Sequence, residues 1–392
     1  MRALLAALAA TVVAGALTGP PAGAGPAPEP PPEAVVAALP FQRWDEPNRV
    51  VVDLAREGDR PLVMMLDTGA PVSIVTPLMA RKLGVTVRRT KQTPYRRATR
   101  LGRDLQFYVD TQSSDSGSRT GWEYGLVGGD FLDDYVVEID FPGRTVRFLD
   151  PKKYRVPEQV DGEDERVLPF KLAGTRVVVP VELGGGQVEV TLDTGAPDNL
   201  ILSGAAARKV GIDVDVLPKL GQAGTALGPM EVRLHEETGF RFAGLAFDPL
   251  PVLVAPRGWY NLGTGTDSVI GYDLLRHFTM RIDYPRRRLW LRRTGERRIT
   301  FLGADYAAAK EIGAYLTPTG GAFHVWGVVP GGAAAAYGLR EGDAIVPAAG
   351  DAAPTLDDVL ARIRTRGELT VARREGDATI DRVLPEEATP AP

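Results

Sequence analysis

Twice in this chain an apolar run ends in Asp-Thr-Gly-Ala-Pro: Met64-Met65-Leu66-Asp67-Thr68-Gly69-Ala70-Pro71 and Val190-Thr191-Leu192-Asp193-Thr194-Gly195-Ala196-Pro197. Strand-forming residues that run into a tight turn place an acid where a buried strand breaks. A carboxylate withdrawn from water must be paired, hydrogen-bonded or protonated, so two such acids are expected to face each other and share a proton. One Asp-Thr-Gly alone is ordinary turn chemistry, because all three residue types are turn formers. Its recurrence inside a longer repeat makes it a candidate site.

That repeat has four matched blocks. Arg49-Val50-Val51-Val52 matches Arg176-Val177-Val178-Val179, and each is followed by a Gly-containing turn and the strand ending in the acid, a β-hairpin pattern. A helix-like segment follows each acid, with Arg81-Lys82-Leu83-Gly84-Val85 matching Arg208-Lys209-Val210-Gly211-Ile212 and a glycine closing each helix. The third block is Gly125-Leu126-Val127-Gly128 against Ser268-Val269-Ile270-Gly271. The fourth is Glu138-Ile139-Asp140-Phe141-Pro142 against Arg281-Ile282-Asp283-Tyr284-Pro285, at the same distance from the third in both copies. Between blocks two and three the copies differ. The first is basic, with Arg88, Arg89, Lys91, Arg96, Arg97, Arg100 and Arg103, whereas the second is glycine-rich, with Gly221, Gly224 and Gly228. Either suits a mobile hairpin.

The rest of the chain bounds the chemistry by exclusion. With 392 residues there is length for two or three domains, and a net charge of −4 gives no global attraction to nucleic acid or membrane. The absence of cysteine removes disulfides, thiol catalysis and cysteine-ligated metal. His235, His277 and His324 are far apart and form no metal-binding pair, and neither Gly-x-Ser-x-Gly nor a phosphate-binding glycine loop is present. No metal and no cofactor is expected.

At the N-terminus, Arg2, an apolar run to Leu17 and Ala22-Gly23-Ala24 read as a secretory signal peptide (residues 1–24), hence a secreted or periplasmic protein. No later stretch is apolar enough to span a bilayer. Residues 25–40 read as a proline-rich linker and residues 386–392 as a disordered tail. Eight arginines between Arg281 and Arg298 read as a solvated hairpin edge whose long side chains cover Leu289, Trp290 and Leu291.

Both acid-bearing strings resemble the active-site motif of aspartic proteases. Leu126-Val127-Gly128 and Val269-Ile270-Gly271 resemble the second signature of the retropepsin-like members, over residues 49–293. The resemblance implies a mainly β fold: two retropepsin-like β-barrel lobes, residues 41–155 and 156–298, forming an intrachain pseudo-dimer that leaves the chain a monomer. It implies Asp67 and Asp193 as the catalytic pair of an aspartic endopeptidase, supported by Thr68, Gly69, Ala70, Thr194, Gly195 and Ala196, acting on peptide or unfolded protein. Ala70 and Ala196 stand where pepsin-like members usually carry a hydroxyl, so a less acidic dyad and a mildly acidic optimum are expected. Tyr95 is the flap candidate of the first copy. A third segment, residues 299–385, resembles a PDZ domain of bacterial protease-associated type through Pro330-Gly331-Gly332-Ala333-Ala334 and Gly338-Leu339-Arg340-Glu341-Gly342-Asp343. That resemblance makes Ile312, Gly313, Ala314, Tyr315 and Leu316 a loop and strand start binding a peptide C-terminus, and the segment a domain that recruits or gates substrate for the protease. The other readings are a catalytically weak peptide-binding protein using the same cleft and groove, a PDZ-like module that only packs, and lobes that pair between chains.

Overall fold

The computed structural model describes residues 27–41, 49–56, 58–85, 94–110, 124–225, 228–256, 268–295, 299–301, 304–319, 321–348, 351–376 and 378–385. The leader, the tail, and Arg88, Arg89 and Lys91 lie outside them. The fold is mainly β, with short helices.

In the first repeat the strand Val63–Leu66 is buried at all four positions and runs parallel to Gly125–Val127, pairing Leu66 with Val127. In the second, Gly186–Leu192 runs parallel to Val269–Ile270, pairing Leu192 with Ile270. Each acid therefore leaves its strand beside the second-signature strand of its own copy. The turn after each acid leads to a strand and a six-residue helix, Pro77–Lys82 or Gly204–Lys209, N-capped by Thr76 or Ser203. Gly84 and Gly211 follow at φ of 74° and 82°, left-handed values that suit glycine just past a helix end.

The fourth blocks of the two copies meet. Val136–Asp140 pairs antiparallel with Phe278–Asp283, setting Glu138 opposite Arg281. They form the centre of a six-stranded sheet ordered Val35–Pro40, Thr145–Leu149, Val136–Asp140, Phe278–Asp283, Arg288–Arg293, Glu165–Pro169.

Two expectations change here. Val35–Pro40, read as part of a linker, is an edge strand on Thr145–Leu149, because Leu39 buries its side chain and Ala34 seals the strand's start. The strand in the arginine run is not an edge, although Arg286, Arg287 and Arg292 are exposed. Arg288–Arg293 is an interior strand between two others, with Leu289, Trp290 and Leu291 buried. Arg281 is 1% exposed, hydrogen-bonded through Nε to Glu138 at 2.5 Å and stacked on the Trp290 ring at 4.1 Å.

The C-terminal region is a five-stranded antiparallel sheet ordered Ala314–Thr319, Ala322–Val328, Ala344–Val346, Leu369–Glu375, Ala378–Leu384, with helices Tyr306–Ile312, Ala333–Tyr337 and Leu356–Thr365. It has its own core, in which Leu316, Val325 and Ile345 meet Val359 and Ile363. Ile312, expected to start a strand, instead ends a helix. Asp305 caps that helix at one end and Gly313, at φ 71°, closes it at the other.

Candidate active site

The two Asp-Thr-Gly turns face each other across a net of mutual hydrogen bonds. The Thr68 hydroxyl donates to the Leu192 carbonyl at 2.7 Å, and the Thr194 hydroxyl donates to the Leu66 carbonyl at 2.7 Å. Each hydroxyl also accepts from the opposite backbone: Thr194 N–H to Thr68 Oγ1 at 3.1 Å and Thr68 N–H to Thr194 Oγ1 at 3.2 Å. Both threonines are 0% exposed, so every one of these polar groups finds its partner inside the protein. The net ties the strand end of one copy to that of the other and fixes the separation of the acids.

Each acid is oriented by its own turn. Asp67 Oδ1 accepts from Gly69 N–H at 3.0 Å and Ala70 N–H at 2.8 Å; Asp193 Oδ1 accepts from Gly195 N–H at 2.8 Å and Ala196 N–H at 3.1 Å. The glycines also let the turns approach. A methyl on Gly69 would sit 2.4 Å from Asp193 Cγ, and one on Gly195 would sit 2.7 Å from Asp67 Cγ. Gly128 and Gly271 lie behind the turns, where a methyl would come within 2.8 Å of the Ala70 carbonyl and within 2.8 Å of the Ala196 carbonyl.

Burial pushes the Asp67 carboxyl well above the ordinary range, and the charge of Asp193 beside it pushes the same way. Burial also raises Asp193, against the backbone donors of Gly195 and Ala196. The two carboxyls are close enough for each to bear on the other's proton. Such a pair keeps one proton through the range in which isolated carboxyls are ionised, so one member can accept a proton while the other donates one.

The surroundings of the turns are unequal. In the first copy Ser73 Oγ donates to Asp130 Oδ1 at 2.7 Å and accepts from Gly128 N–H at 3.0 Å. In the second, Asn199 Nδ2 donates to the Thr300 carbonyl at 2.6 Å, while Thr300 Oγ1 donates to Asp273 Oδ1 at 2.9 Å. Asp198 was not singled out by sequence reasoning. It is 6% exposed, its Oδ1 accepts no hydrogen bond among the described residues, and burial, with Asp273 nearby, raises it to about 7. The matching residue of the first copy is Val72, 40% exposed. An acid at the place of an aliphatic residue in an otherwise matched repeat was the signal available.

Other expected residues lie elsewhere. Tyr95 stacks on Phe107 at 6.0 Å within the first-copy sheet. Ile312, Gly313, Ala314, Tyr315 and Leu316 are all buried, the Gly313 N–H is spent on the carbonyls of Ala309 and Lys310, and Gly313 and Tyr315 border a cleft shared with Pro218, Leu234 and Tyr306. Among the described residues no cluster of histidine, aspartate and glutamate is arranged to hold a metal ion. No helix among them is long and apolar enough to cross a membrane.

Residues 179–274 match the family model described as aspartyl protease, a span holding Asp193 and Gly271. A solved retropepsin-like aspartic protease from Rickettsia conorii is similar to 32% of this chain over 89% of its own length, at 23% identity and a TM-score of 0.27. No curated protein matches the chain.

Proposed function

We propose that this chain is an aspartic endopeptidase in which Asp67 and Asp193 form one catalytic dyad. The observation that carries the reading is the reciprocal threonine net, which sets the half-buried Asp67 and the buried Asp193 facing each other. Structural acids gain nothing from such an arrangement, because two like groups in a dry site raise each other's pKa and destabilise the ionised form.

In the reaction a water between the carboxyls attacks the scissile carbonyl carbon. The ionised carboxylate takes one proton from that water, and the carboxylic acid gives its proton to the carbonyl oxygen, producing a tetrahedral diol. Collapse returns a hydroxyl proton to one carboxylate, the other carboxyl protonates the amide nitrogen, and the C–N bond breaks. The dyad ends with one proton, as it began. One oxygen of each carboxyl, Oδ1, is held by the backbone N–H groups of Gly69 and Ala70 or of Gly195 and Ala196, so neither carboxyl has to reorient during the reaction.

On this reading residues 41–155 and 156–298 act as the two lobes of an intrachain pseudo-dimer, and the chain works as a monomer. The C-terminal sheet is a PDZ-like unit that packs against the protease rather than capturing a free C-terminus, in keeping with the burial of residues 312–316. Export with cleavage after Ala24 is part of the proposal, read by N-terminal sequencing of the protein made in a secreting host.

The test is cleavage of an unbiased peptide library from acidic to neutral pH by the chain starting at Gly25, beside Asp67→Asn and Asp193→Asn. Cuts that disappear in both variants support the dyad. Activity that survives either substitution overturns it, and a folded chain that binds peptides but cuts none at any pH supports a peptide-binding protein instead.

A further inference from the structure

The glycine-rich segment of the second copy is a hairpin of strands Lys219–Thr225 and Gly228–Glu237. Its second strand pairs with Leu250–Ala255, which runs parallel to Leu200–Ser203, the strand that follows the Asp193 turn. The hairpin is thus tied through two strand pairings to the element leaving one candidate catalytic acid. Its other side meets the C-terminal unit.

Three contacts make that seam. Glu236 accepts from Lys310 Nζ at 2.8 and 2.6 Å and from the Tyr306 hydroxyl at 3.0 Å. Gly327 lies against the other strand, where a methyl would fall 2.4 Å from the Leu220 carbonyl oxygen. Between these points Phe301, Tyr306, Tyr315 and Trp326 pack edge to face or stacked, and Leu220, Val232 and Leu234 belong to the same apolar core as Tyr306 and Tyr315. A cleft of about 360 Å³ remains on the seam, bordered by Pro218, Leu234, Tyr306 and Val329. The packing is close at Gly327 and loose at the cleft, and the Glu236–Lys310 latch ties the hairpin's second strand to the helix Tyr306–Ile312.

We propose that the C-terminal unit positions the hairpin of residues 219–237, with Glu236 and Gly327 as positioning residues, and so sets how tightly the candidate active site holds substrate. The consequence for substrate rests on the proteolytic reading; the mechanical link does not. Glu236 touches no reacting atom, and its effect passes through the hairpin. Burial and the two donors set the balance at Glu236, where the Lys310 ammonium dominates and lowers its pKa. The charged groups facing it are Lys310 from the helix Tyr306–Ile312 and His235 on its own strand. The latch is therefore closed throughout the neutral range.

The test uses the full chain and three variants: Gly327→Ala, Glu236→Gln and Lys310→Met. Hydrogen exchange of residues 219–225 and 228–237 is read beside that of Val136–Asp140 and Phe278–Asp283. The expected result is several-fold faster exchange in the hairpin with the six-stranded sheet unchanged, largest for Gly327→Ala and smaller for the two latch variants. For peptide cleavage, KM is expected to rise several-fold with kcat little changed. A purely structural role would lower the active fraction and leave KM alone. Lys310→Met keeps the proposal testable if Gly327→Ala does not fold, because Lys310 is largely solvent-facing. Unchanged hairpin exchange in the latch variants, or faster exchange with KM unmoved, overturns the proposal. A wild-type chain that cuts nothing while its hairpin exchange responds supports the mechanical link and removes the proteolytic reading.

Discussion

Gly69 stands so close to Asp193 that a side chain of one carbon would begin 2.4 Å from the carboxyl carbon. The backbone of one repeat therefore forms part of the wall around the acid of the other, and Gly195 does the same for Asp67. Each acid is walled by the turn that carries the other. Gly69→Ala has to move Asp193 or open the turns, and a displacement near 1 Å at reacting atoms costs about a hundredfold in rate. The expected outcome is a loss of kcat/KM of at least about that size for Gly69→Ala, and a similar loss for Gly195→Ala. Steady-state cleavage by folded variants checks it, and full activity in either would mean the turns separate without consequence.

The threonine net makes a different prediction. Thr68→Val keeps the shape but removes the donor to the Leu192 carbonyl and the acceptor for the Thr194 N–H, both buried. Leaving a buried polar group unsatisfied costs about 1–3 kcal/mol. Two groups are stranded at once, so denaturant unfolding is expected to show a loss toward the top of that range. Thr194→Val should match it, because its contacts are the mirror of the first.

The pH dependence of cleavage follows from the shared proton. Both carboxyls are raised by burial, so the singly protonated pair persists above the ordinary carboxylate range before losing its proton. Activity is expected to be bell-shaped, falling at low pH as the pair gains a second proton and at higher pH as it loses its only one. A flat profile from acidic to neutral pH would contradict a shared-proton dyad.

The four-block repeat made the pairing of Asp67 with Asp193 legible before any coordinates, because each block carries residues whose types are dictated locally: an apolar strand, a turn, a capped helix, a glycine behind the turn. What the sequence did not reveal depended on partners distant in the chain. Arg281 looks like any member of an arginine run until Glu138 arrives opposite it from another strand. Val35–Pro40 is apolar throughout, with no alternation and no nearby mate to mark it as a strand, and its partner Thr145–Leu149 comes more than a hundred residues later. Local signals for the helix Tyr306–Ile312 were present in Asp305 and the alanines after it. The strand start read at Ile312 makes no use of them, because it rests on the likeness of the segment after it to a peptide-binding loop.

Asp198 predicts a pH effect on stability with a definite sign. Burial raises it to about 7 in the folded chain, whereas an unfolded aspartate titrates near about 3.9. The folded state favours the protonated form, so the stability contributed by this group is present below the unfolded value and is lost as pH rises through about 7. The dyad acids act in the same direction, which makes the comparison with Asp198→Asn the informative one. The wild-type chain is expected to lose more stability between mildly acidic and mildly alkaline pH than the variant, measured by urea unfolding across that range. Parallel curves would show that folding does not raise Asp198 above its unfolded value.

The buried pair at the centre of the six-stranded sheet supplies the last prediction. Arg281 and Glu138 are each 1% exposed, and they belong to strands from different repeats. Arg147 also reaches Glu138, while Arg281 extends to the Pro28 carbonyl and the Tyr154 hydroxyl, joining the N-terminal segment to both copies. Replacing Arg281 by Met keeps most of the volume but leaves Glu138 with one cation in place of two, and leaves the Pro28 carbonyl and the Tyr154 hydroxyl with only their bond to each other at 3.3 Å. Breaking a buried ion pair from one side costs about 3–5 kcal/mol, and the surviving Arg147 contact puts the expectation at the lower end. Because the loss falls at the junction of the repeats, cleavage is expected to fail at lower urea concentration than the unfolding of the C-terminal sheet, which has a separate core. Arg281→Met with Glu138→Gln should recover part of the loss, since the second change removes the uncompensated charge. Failure of the double variant to recover any stability would place the role of Arg281 in its stacking on Trp290 and its hold on Pro28 rather than in the ion pair.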